Sequence, residues 1–259
     1  MQPAILIPVS SPPEAELLQR GVSPRWGARE LAKHLALPGL LRERPAPETV
    51  ATGIAELDAL TGGVPRGALT EIFGRPSSGR TSLLLSLMAA CTRRGEVCAW
   101  VDASDAFDPH SAAAAGVELE RLLWVRCRNL ERALRATDLL LGAGGFGLVV
   151  MDLGDIAPRQ ARRIPLTSWF RFRRAVEPTP TVLVALEQEP CAGSCASLAL
   201  RLEPAGAHCF PAPQECAPAH ACLLRGLRVR AEVVRSRLHP ARPPRSAAAA
   251  FALRAAWAG

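Results

Sequence analysis

The order of apolar and polar positions predicts strands and helices that alternate along the middle of the chain. Short apolar runs are followed by longer segments in which apolar residues recur at helical spacing. The predicted strands are 68–73, 97–101, 122–125, 148–151 and 181–186, and the predicted helices are 53–60, 81–92, 108–115, 130–141 and 168–176. Apolar strands that alternate with helices are typical of a mostly parallel sheet covered on both faces. The fold class is therefore predicted to be α/β.

The two ends of the chain have a different texture. Residues 1–48 contain one segment with helical spacing, 25–37, between proline-rich breaks, and we expect an N-terminal helical arm. Residues 49–238 are predicted to form the core domain. Residues 239–259 are predicted to be a basic low-complexity tail with a last strand at 251–255.

The C-terminal part also carries the charge. Residues 198–202 and 227–234 are predicted to be antiparallel additions to the sheet, joined by a loop rich in proline, cysteine and histidine. Residues 225–259 contain eight arginines and one acidic residue, Glu232, which accounts for the whole formal charge of +7. A cationic end of this kind points to phosphate groups, nucleic acid or an acidic partner surface.

Composition excludes several classes of protein. With 49% hydrophobic and 21% charged residues, the chain has the balance of a globular protein rather than a disordered one. It contains no apolar run long enough to span a membrane, and its first residues lack the pattern of a signal peptide. We therefore expect a cytoplasmic protein with reduced cysteines and no membrane partner.

A glycine-rich loop between a predicted strand and a predicted helix is the strongest chemical signal. Residues 74–81 fit the phosphate-loop pattern G-x-x-x-x-G-K-[ST] at every fixed position except the lysine, which is Arg80. Glycines let backbone N–H groups surround a phosphate, and the helix N-terminus adds partial positive charge. The alternative is an ordinary Gly/Ser turn. The predicted nucleotide-binding residues are Gly74, Pro76, Ser77, Ser78, Gly79, Arg80 and Thr81.

An acidic residue follows the apolar strand at 148–151. Asp152 stands where phosphate-loop folds deliver a carboxylate to Mg²⁺, although many buried strands end in Asp. Together with the loop, it predicts that Thr81 and Asp152 would hold the metal.

Several segments around the loop share a pattern with one known family. They are 47–53, 57–58, 62–67, 71–74, 76–79, 101–103, 106–109, 116–117 and 122–123. Through them, residues 49–190 resemble the RecA/RadA recombinase-like P-loop family. The resemblance implies a RecA-like P-loop core and ATP with Mg²⁺ as weakly held cofactors.

The same resemblance implies roles for individual residues. It assigns Asp108 to nucleotide binding and Gln188 to sensing the γ-phosphate, with Asp152 and Gln188 catalytic if the site is active. Arg235 and Arg237 resemble the family's basic pair that reaches the nucleotide of a neighbouring subunit.

Three positions depart from the family pattern. Arg80 replaces the loop lysine, Ser104 replaces the water-activating glutamate and Ser111 replaces the adenine-stacking tyrosine. Serine cannot act as a general base at neutral pH, so we expect no ATP hydrolysis or only a weak one. The second DNA loop after Gln188 is also short, which argues against a strand-exchange filament.

The segment 156–176 is rich in arginine and contains no acidic residue. Arginines interleaved with exposed aromatic rings would bind single-stranded DNA without sequence preference. Alternatively, Trp169, Phe172 and Val176 form a stripe at helical spacing that packs on the sheet. In both cases, the predicted DNA- or partner-binding arginines here are Arg162, Arg163, Arg171, Arg173 and Arg174.

A cysteine-rich stretch raises the question of zinc. Cys191, Cys195, Cys209 and Cys216 lie close together in sequence, but none of their spacings is the C-x-x-C of a zinc knuckle. Ordinary thiols are the favoured interpretation, and zinc is not expected.

Among the relatives of RecA, the chain most resembles the ImuA-type proteins, through its short length, degenerate nucleotide residues and the pattern of residues 230–237. This resemblance implies an accessory role in SOS-induced translesion mutagenesis. The implied partners are an ImuB-like inactive Y-family polymerase, an error-prone replicative-type polymerase, RecA and single-stranded DNA. The alternatives are a DNA-dependent ATPase of the RecA/RadA group and a zinc-stabilised DNA-binding module.

Overall fold

The computed structural model describes residues 47–210, 223–238 and 247–254. The chain divides into two compact units, Met1–Pro45 and Ala46–Gly259, and all described residues lie in the second. The predicted helix at 25–37 lies outside the described residues.

An eight-stranded sheet forms the centre of the described part of the second unit. The strands, including a separate antiparallel pair β1–β2, are β1 (Thr49–Val50), β2 (Val64–Pro65), β3 (Ala68–Gly74), β4 (Cys98–Asp102), β5 (Leu122–Arg126), β6 (Leu148–Asp152), β7 (Val182–Glu187), β8 (Leu198–Phe210), β9 (Leu223–Ser236) and β10 (Ala248–Arg254). The order across the large sheet is β10-β9-β8-β3-β7-β6-β4-β5. Pairing is parallel from β8 to β5, and β9 and β10 add antiparallel pairings at one edge.

Helices cover both faces of this sheet. They are α1 (Ala55–Thr61), α2 (Arg80–Arg93), α3 (Pro109–Ala114), α4 (Leu130–Ala143), α5 (Pro158–Ala161) and α6 (Leu166–Val176), with short 3₁₀ turns at Leu119–Arg121 and Gly193–Cys195. On one face, α2 buries Leu84 and Met88 in a cluster that includes Trp100. On the other face, α6 buries Trp169 and Phe172. The predicted α/β class, with a mostly parallel sheet and antiparallel strands at its C-terminal end, is confirmed.

The predicted elements of residues 53–187 begin and end within two residues of the observed ones. Strand β8 differs from its prediction. Thr70 pairs with Leu198 and Gly74 with Leu202 in parallel register, so β8 is antiparallel only to β9. The prediction of an antiparallel strand at 198–202 was therefore wrong for its contact with the core. The reason is that residues 188–197 carry the chain from β7 across β3, so β8 starts in the same direction as β3.

The C-terminal strands are also longer than predicted. β8 continues to Phe210, and β9 already begins at Leu223. Both strands therefore extend into the segment predicted as a loop. β10 lies within the predicted tail and pairs with β9, and its Phe251 side chain is buried. None of the helices in the described ranges is long and apolar enough to cross a membrane.

Candidate functional site

The phosphate loop connects β3 to α2 at the carboxyl edge of the sheet. Ser77 and Gly79 have positive φ, 62° and 86°, which lets the backbone curl before the helix begins. A Cβ atom on Gly74 would lie 2.3 Å from the Leu202 carbonyl oxygen, so only glycine fits there. The first N–H groups of α2 have no acceptor within the helix and are available to an anion. Ser78 is buried, and its Oγ has no hydrogen-bond partner among the described residues.

The C-terminal strands form a wall beside this loop. A Cβ atom on Gly79 would lie 2.6 Å from Val229 Cγ2 in β9 and 3.0 Å from Leu253 Cδ1 in β10. Sequence reasoning missed both residues, because apolar positions in a strand carry no mark of where they pack. The antiparallel additions are therefore part of the surroundings of the loop.

Arg80 folds back onto the protein instead of standing free in the loop. Its side chain is buried, with the residue 8% exposed. Nη1 donates to the Glu187 carbonyl oxygen at 2.6 Å and Nη2 to the Gly154 carbonyl oxygen at 3.5 Å. Burial lowers the pKa of Arg80, and the nearby Asp152 and Asp155 carboxylates oppose that effect. The guanidinium thus links the start of α2 to the carboxyl ends of β6 and β7.

Asp152 and Gln188 meet Arg80 at Gly154. Asp152 Oδ1 accepts the Gly154 N–H at 2.8 Å, and Gln188 Nε2 donates to the Gly154 carbonyl oxygen at 3.0 Å. Burial raises the pKa of Asp152 to about 6, against the Gly154 hydrogen bond. A Cβ atom on Gly154 would lie 3.0 Å from Asp152 Oδ1 and 3.6 Å from Arg80 Nη1. The structure therefore brings together three residues that are far apart in sequence.

These residues do not fit Mg²⁺. Magnesium requires oxygen ligands in near-ideal octahedral geometry. The Thr81 residue is exposed, whereas Asp152 is buried, already accepts a backbone N–H and borders the same small space as the Arg80 cation. The loop itself, in contrast, has the backbone geometry that suits a phosphate.

Asp108, which the resemblance assigned to nucleotide binding, caps the N-terminus of α3. Asp108 precedes α3 and accepts the Ser111 hydroxyl at 2.6 Å and the Ser111 and His110 N–H groups. The hydroxyl bond is the main reason that the pKa of Asp108 is lowered. Pro76 and Ser77 in the loop are exposed.

The position of the expected general base holds no available carboxylate. Ser104 is exposed, and its N–H donates to Asp102 Oδ1 at 3.0 Å. The adjacent Asp105 has φ of 63° and pairs with Arg126, from Nε at 2.5 Å, and with Arg128. Both arginines, Arg126 first, lower the pKa of Asp105, so it would be a poor proton acceptor.

Two buried glutamates beside the site were missed by sequence reasoning. Glu71 Oε1 accepts the N–H groups of Cys191 at 2.8 Å and Ala192 at 2.5 Å, and Glu187 Oε2 accepts that of Cys191 at 3.0 Å. Burial raises the pKa of Glu187 well above its usual range, and the neighbouring Glu71 carboxylate raises it further. The pair holds the segment 189–195, which follows Gln188, against the sheet. Each glutamate lies in an apolar strand, and only its pairing across the sheet marks it.

Arginines from distant parts of the sequence meet around this segment. Arg235 donates to the Gly193 carbonyl oxygen, and Arg237 to that of Ser194 at 2.8 Å. Arg173 of α6 lies near the same segment. Burial raises the pKa of Cys195, and the charges of Arg173, Arg237 and Arg235 all act to lower it. Arg162, which pairs with Glu189, borders the same segment at Cys191. We call Arg162, Arg173, Arg235 and Arg237 the turn arginines.

The structure separates the aromatic residues of α6. Trp169 and Phe172 are fully buried with Val176, as the packing interpretation predicted, whereas Phe170 is 45% exposed. Phe170 borders an open groove of about 540 Å³ together with Arg171 and Arg174. Arg171 pairs with Asp138 at 2.8 Å, and Arg163 and Arg174 are exposed. Stacking of DNA bases on Trp169 or Phe172 is therefore excluded.

The structure tests the possible zinc site only in part, because not all of the candidate cysteines lie within the described residues. Within 47–210, 223–238 and 247–254, no three His, Cys, Asp or Glu side chains form a group that could hold a metal. Cys195 is buried and Cys191 is half-buried; Cys209 lies in β8, and Cys216 lies outside the described residues. Cys91, Cys98 and Cys127 are buried, as small core residues.

Comparison with known proteins relates part of the chain to one family. The model of the RecA N-terminal domain matches residues 40–161. Protein RecA of Synechococcus sp. (strain CC9902) is 44% identical over 114 residues, which cover 43% of this chain and 30% of that protein. Protein RecA of Psychrobacter cryohalolentis is 40% identical over 115 residues (43% and 33%), and that of Acinetobacter baumannii is 40% identical over 109 residues (41% and 31%). The chain spans about a third of the length of these curated relatives. Residues 40–161 of this chain are therefore similar to the RecA N-terminal domain.

Proposed function

We propose that this chain is a RecA-like accessory protein of bacterial DNA repair that binds single-stranded DNA and protein partners without effective ATP hydrolysis. The observation that carries the proposal is the position of Arg80. Its guanidinium donates to the Glu187 and Gly154 carbonyl oxygens of its own chain. An interaction made in the resting protein gives no preferential stabilisation of a transition state.

The lack of a free carboxylate at Ser104 and Asp105, where the base is expected, supports the same proposal. Water attack on a γ-phosphate needs a group that positions the water and accepts its proton. Ser104 offers a hydroxyl, and Asp105 next to it is held by two arginines. We expect turnover to stay low even where nucleotide binds.

The turn arginines support the DNA-binding part. Four cationic side chains, two from between β6 and β7 and two from the end of β9 and just beyond it, border the segment 189–195, which runs from the carboxyl end of β7 back to the start of β8. Each guanidinium has five N–H donors, and the contacts described above use only some of them. Exposed Phe170 adds one aromatic ring on the neighbouring helix for a base to stack on.

The partners are inferred from the resemblance to ImuA-type proteins. They are an ImuB-like inactive Y-family polymerase, an error-prone replicative-type polymerase and RecA. The role proposed is in SOS-induced translesion mutagenesis, where an intact α/β scaffold with an arginine-rich C-terminal end would bring these proteins to DNA.

The proposal is tested by measuring ATP turnover and DNA binding on the same preparation. We expect a labelled oligothymidylate to bind, and phosphate release to remain at background with and without it. Arg80→Lys should leave turnover low, because Ser104 is unchanged. Co-elution with the purified Y-family and replicative-type polymerases from the same organism tests the partners.

Two results would contradict this function. DNA-stimulated turnover at the rate of a recombinase would favour the alternative, a DNA-dependent ATPase. Recovery of turnover in Arg80→Lys, in contrast, would leave the function in place and identify Arg80 rather than Ser104 as the cause of the low turnover. Failure to bind either DNA or the polymerases would remove the accessory role.

A further inference from the structure

We propose that Arg80 takes the place of the divalent cation at this site, so that the loop binds the phosphates of a nucleoside di- or triphosphate without Mg²⁺. The inference rests on the proposed function only in assuming that the loop of this RecA-like segment takes a nucleotide. It identifies Arg80 as the residue that determines the metal requirement.

The first step is where the Arg80 charge lies. The side chain leaves the first residue of α2 and reaches the carboxyl ends of two strands, with Nη1 2.6 Å from the Glu187 carbonyl oxygen of β7. Nη2 contacts the carbonyl oxygen of Gly154, just beyond β6. The guanidinium is therefore fixed inside the site by contacts to the backbone.

The second step is the relation of this charge to Asp152. Both groups border the space at Gly154, where a Cβ atom would lie 3.0 Å from Asp152 Oδ1 and 3.6 Å from Arg80 Nη1. Asp152 is the only carboxylate that the sequence offered to Mg²⁺. A divalent cation bound to Asp152 would meet a like charge in a buried region, where charges are poorly screened. A metal ion bound to Asp152 would therefore lie close to the Arg80 guanidinium, whose charge already acts on this carboxylate.

The third step is that the loop can still accept an anion. Ser77 and Gly79 curl the backbone at the N-terminus of α2, an end of a 14-residue helix that favours negative charge. Ser78 Oγ is buried without a partner among the described residues, so a ligand oxygen would satisfy it. The two backbone contacts of Arg80 leave three of its five donors without a contact in the described part of the chain. Phosphate charge would thus be balanced by the chain's own cation.

The experiment compares the binding of anthraniloyl-labelled ADP and ATP, by fluorescence anisotropy, in excess Mg²⁺ and in excess EDTA. For each nucleotide, we expect the wild-type dissociation constant in Mg²⁺ and that in EDTA to agree within about threefold. Arg80→Lys replaces the fork with a compact charge and so removes the guanidinium from the space beside Asp152. We expect this variant to bind nucleotide at least about tenfold more tightly with Mg²⁺ than with EDTA. Arg135→Lys, an exposed arginine paired with Glu131 on α4, is the matched control and should behave as the wild type.

Several outcomes would overturn the inference. One is a wild type that requires Mg²⁺ as strongly as Arg80→Lys, and another is a wild type that binds neither nucleotide in either buffer. If Arg80→Lys does not fold, Mn²⁺ titrated into the nucleotide-loaded wild type decides by electron paramagnetic resonance. Mn²⁺ held no more tightly than by free nucleotide supports the inference, and a tighter site overturns it.

The two proposals fail in different ways. A wild type that binds DNA and polymerases but no nucleotide overturns the role of Arg80 and leaves the accessory function in place. A wild type that binds nucleotide only with Mg²⁺ and hydrolyses it overturns both.

Discussion

The guanidinium of Arg80 changes the phosphate loop through its shape as well as its charge. A lysine ammonium is a compact point charge that can follow a phosphate, whereas the planar guanidinium presents fixed, forked donors. Here two of those donors are taken by the Glu187 and Gly154 carbonyl oxygens. One residue thus ties together the loop, the strand that ends in Asp152 and the strand that precedes Gln188.

The buried carboxyl pair gives a prediction for a single residue. Burial and Glu71 raise the pKa of Glu187, so the folded protein keeps a proton there that the unfolded chain has released. Folding then takes up a proton, and the free energy of unfolding falls as the pH rises above the ordinary glutamate pKa. Glu187→Gln imitates the protonated form. At about pH 8 we expect it to stabilise the protein by about 1–3 kcal/mol, with little change at about pH 4.

Urea unfolding at the two pH values measures this difference. Glu189→Gln is the control, since the Glu189 side chain is 43% exposed and pairs with Arg162 at the surface. A Glu187→Gln protein that is less stable than the wild type at the higher pH would mean that the charged carboxylate is favourable in the fold.

At the scale of elements, α6 has two different faces. Trp169, Phe172 and Val176 are fully buried against the sheet, while Phe170 and Arg174 face outward at an open groove. The strands β9 and β10, at one edge of the sheet, also pack against the site, because Val229 and Leu253 lie next to Gly79 of the loop. Elements added at the edge therefore support the centre of the site.

The two faces of α6 predict opposite results for neighbouring phenylalanines. Phe172→Ala removes a ring that is fully buried, and we expect the free energy of unfolding to fall by about 3–5 kcal/mol. Phe170→Ala removes a half-exposed ring and should cost less than about 1 kcal/mol. Urea denaturation of both variants tests this, and similar costs would mean that Phe170 is covered in the folded chain. Under conditions in which both variants are folded, the affinity for single-stranded DNA should fall in Phe170→Ala and stay at the wild-type value in Phe172→Ala.

At the scale of the whole molecule, four arginines from distant parts of the chain gather around the segment 189–195. Arg162 and Arg173 come from the segment between β6 and β7, and Arg235 and Arg237 from the end of β9 and just beyond it, yet all four border the turn at 189–195. Part of the excess of positive charge in the chain, which has a formal charge of +7, is thus concentrated around this segment.

This surface predicts how DNA binding depends on salt. Each phosphate contact that is lost should reduce the slope of log K against log salt by about 0.7 for a single strand. Arg235→Ala combined with Arg237→Ala should therefore flatten the slope by up to about 1.4, whereas Arg135→Ala should leave it unchanged. Melting curves of the same proteins complete the test. A melting temperature that falls as steeply as the affinity would mean that these arginines serve only to hold the turn carbonyls.

The sequence by itself determined what depends on neighbours in the chain. Strands and helices between 53 and 187 follow from apolar spacing, and the phosphate loop follows from glycines at Gly74 and Gly79 that the backbone requires. The loss of a base at Ser104 could also be predicted, because a side chain without a suitable pKa cannot gain one from its position.

Only the tertiary structure decided what depends on contacts between distant residues. The parallel direction of β8 and the gathering of the turn arginines both require the crossing of 188–197 over β3. The Glu71–Glu187 pair requires that β3 and β7 lie side by side in the sheet. The burial of Phe172 and the exposure of Phe170 depend on which face of α6 meets the sheet. The direction of Arg80 depends on carbonyl oxygens more than 70 residues away in sequence. No local pattern specifies such partners, because a side chain's neighbours in space are chosen by the packing of the whole sheet.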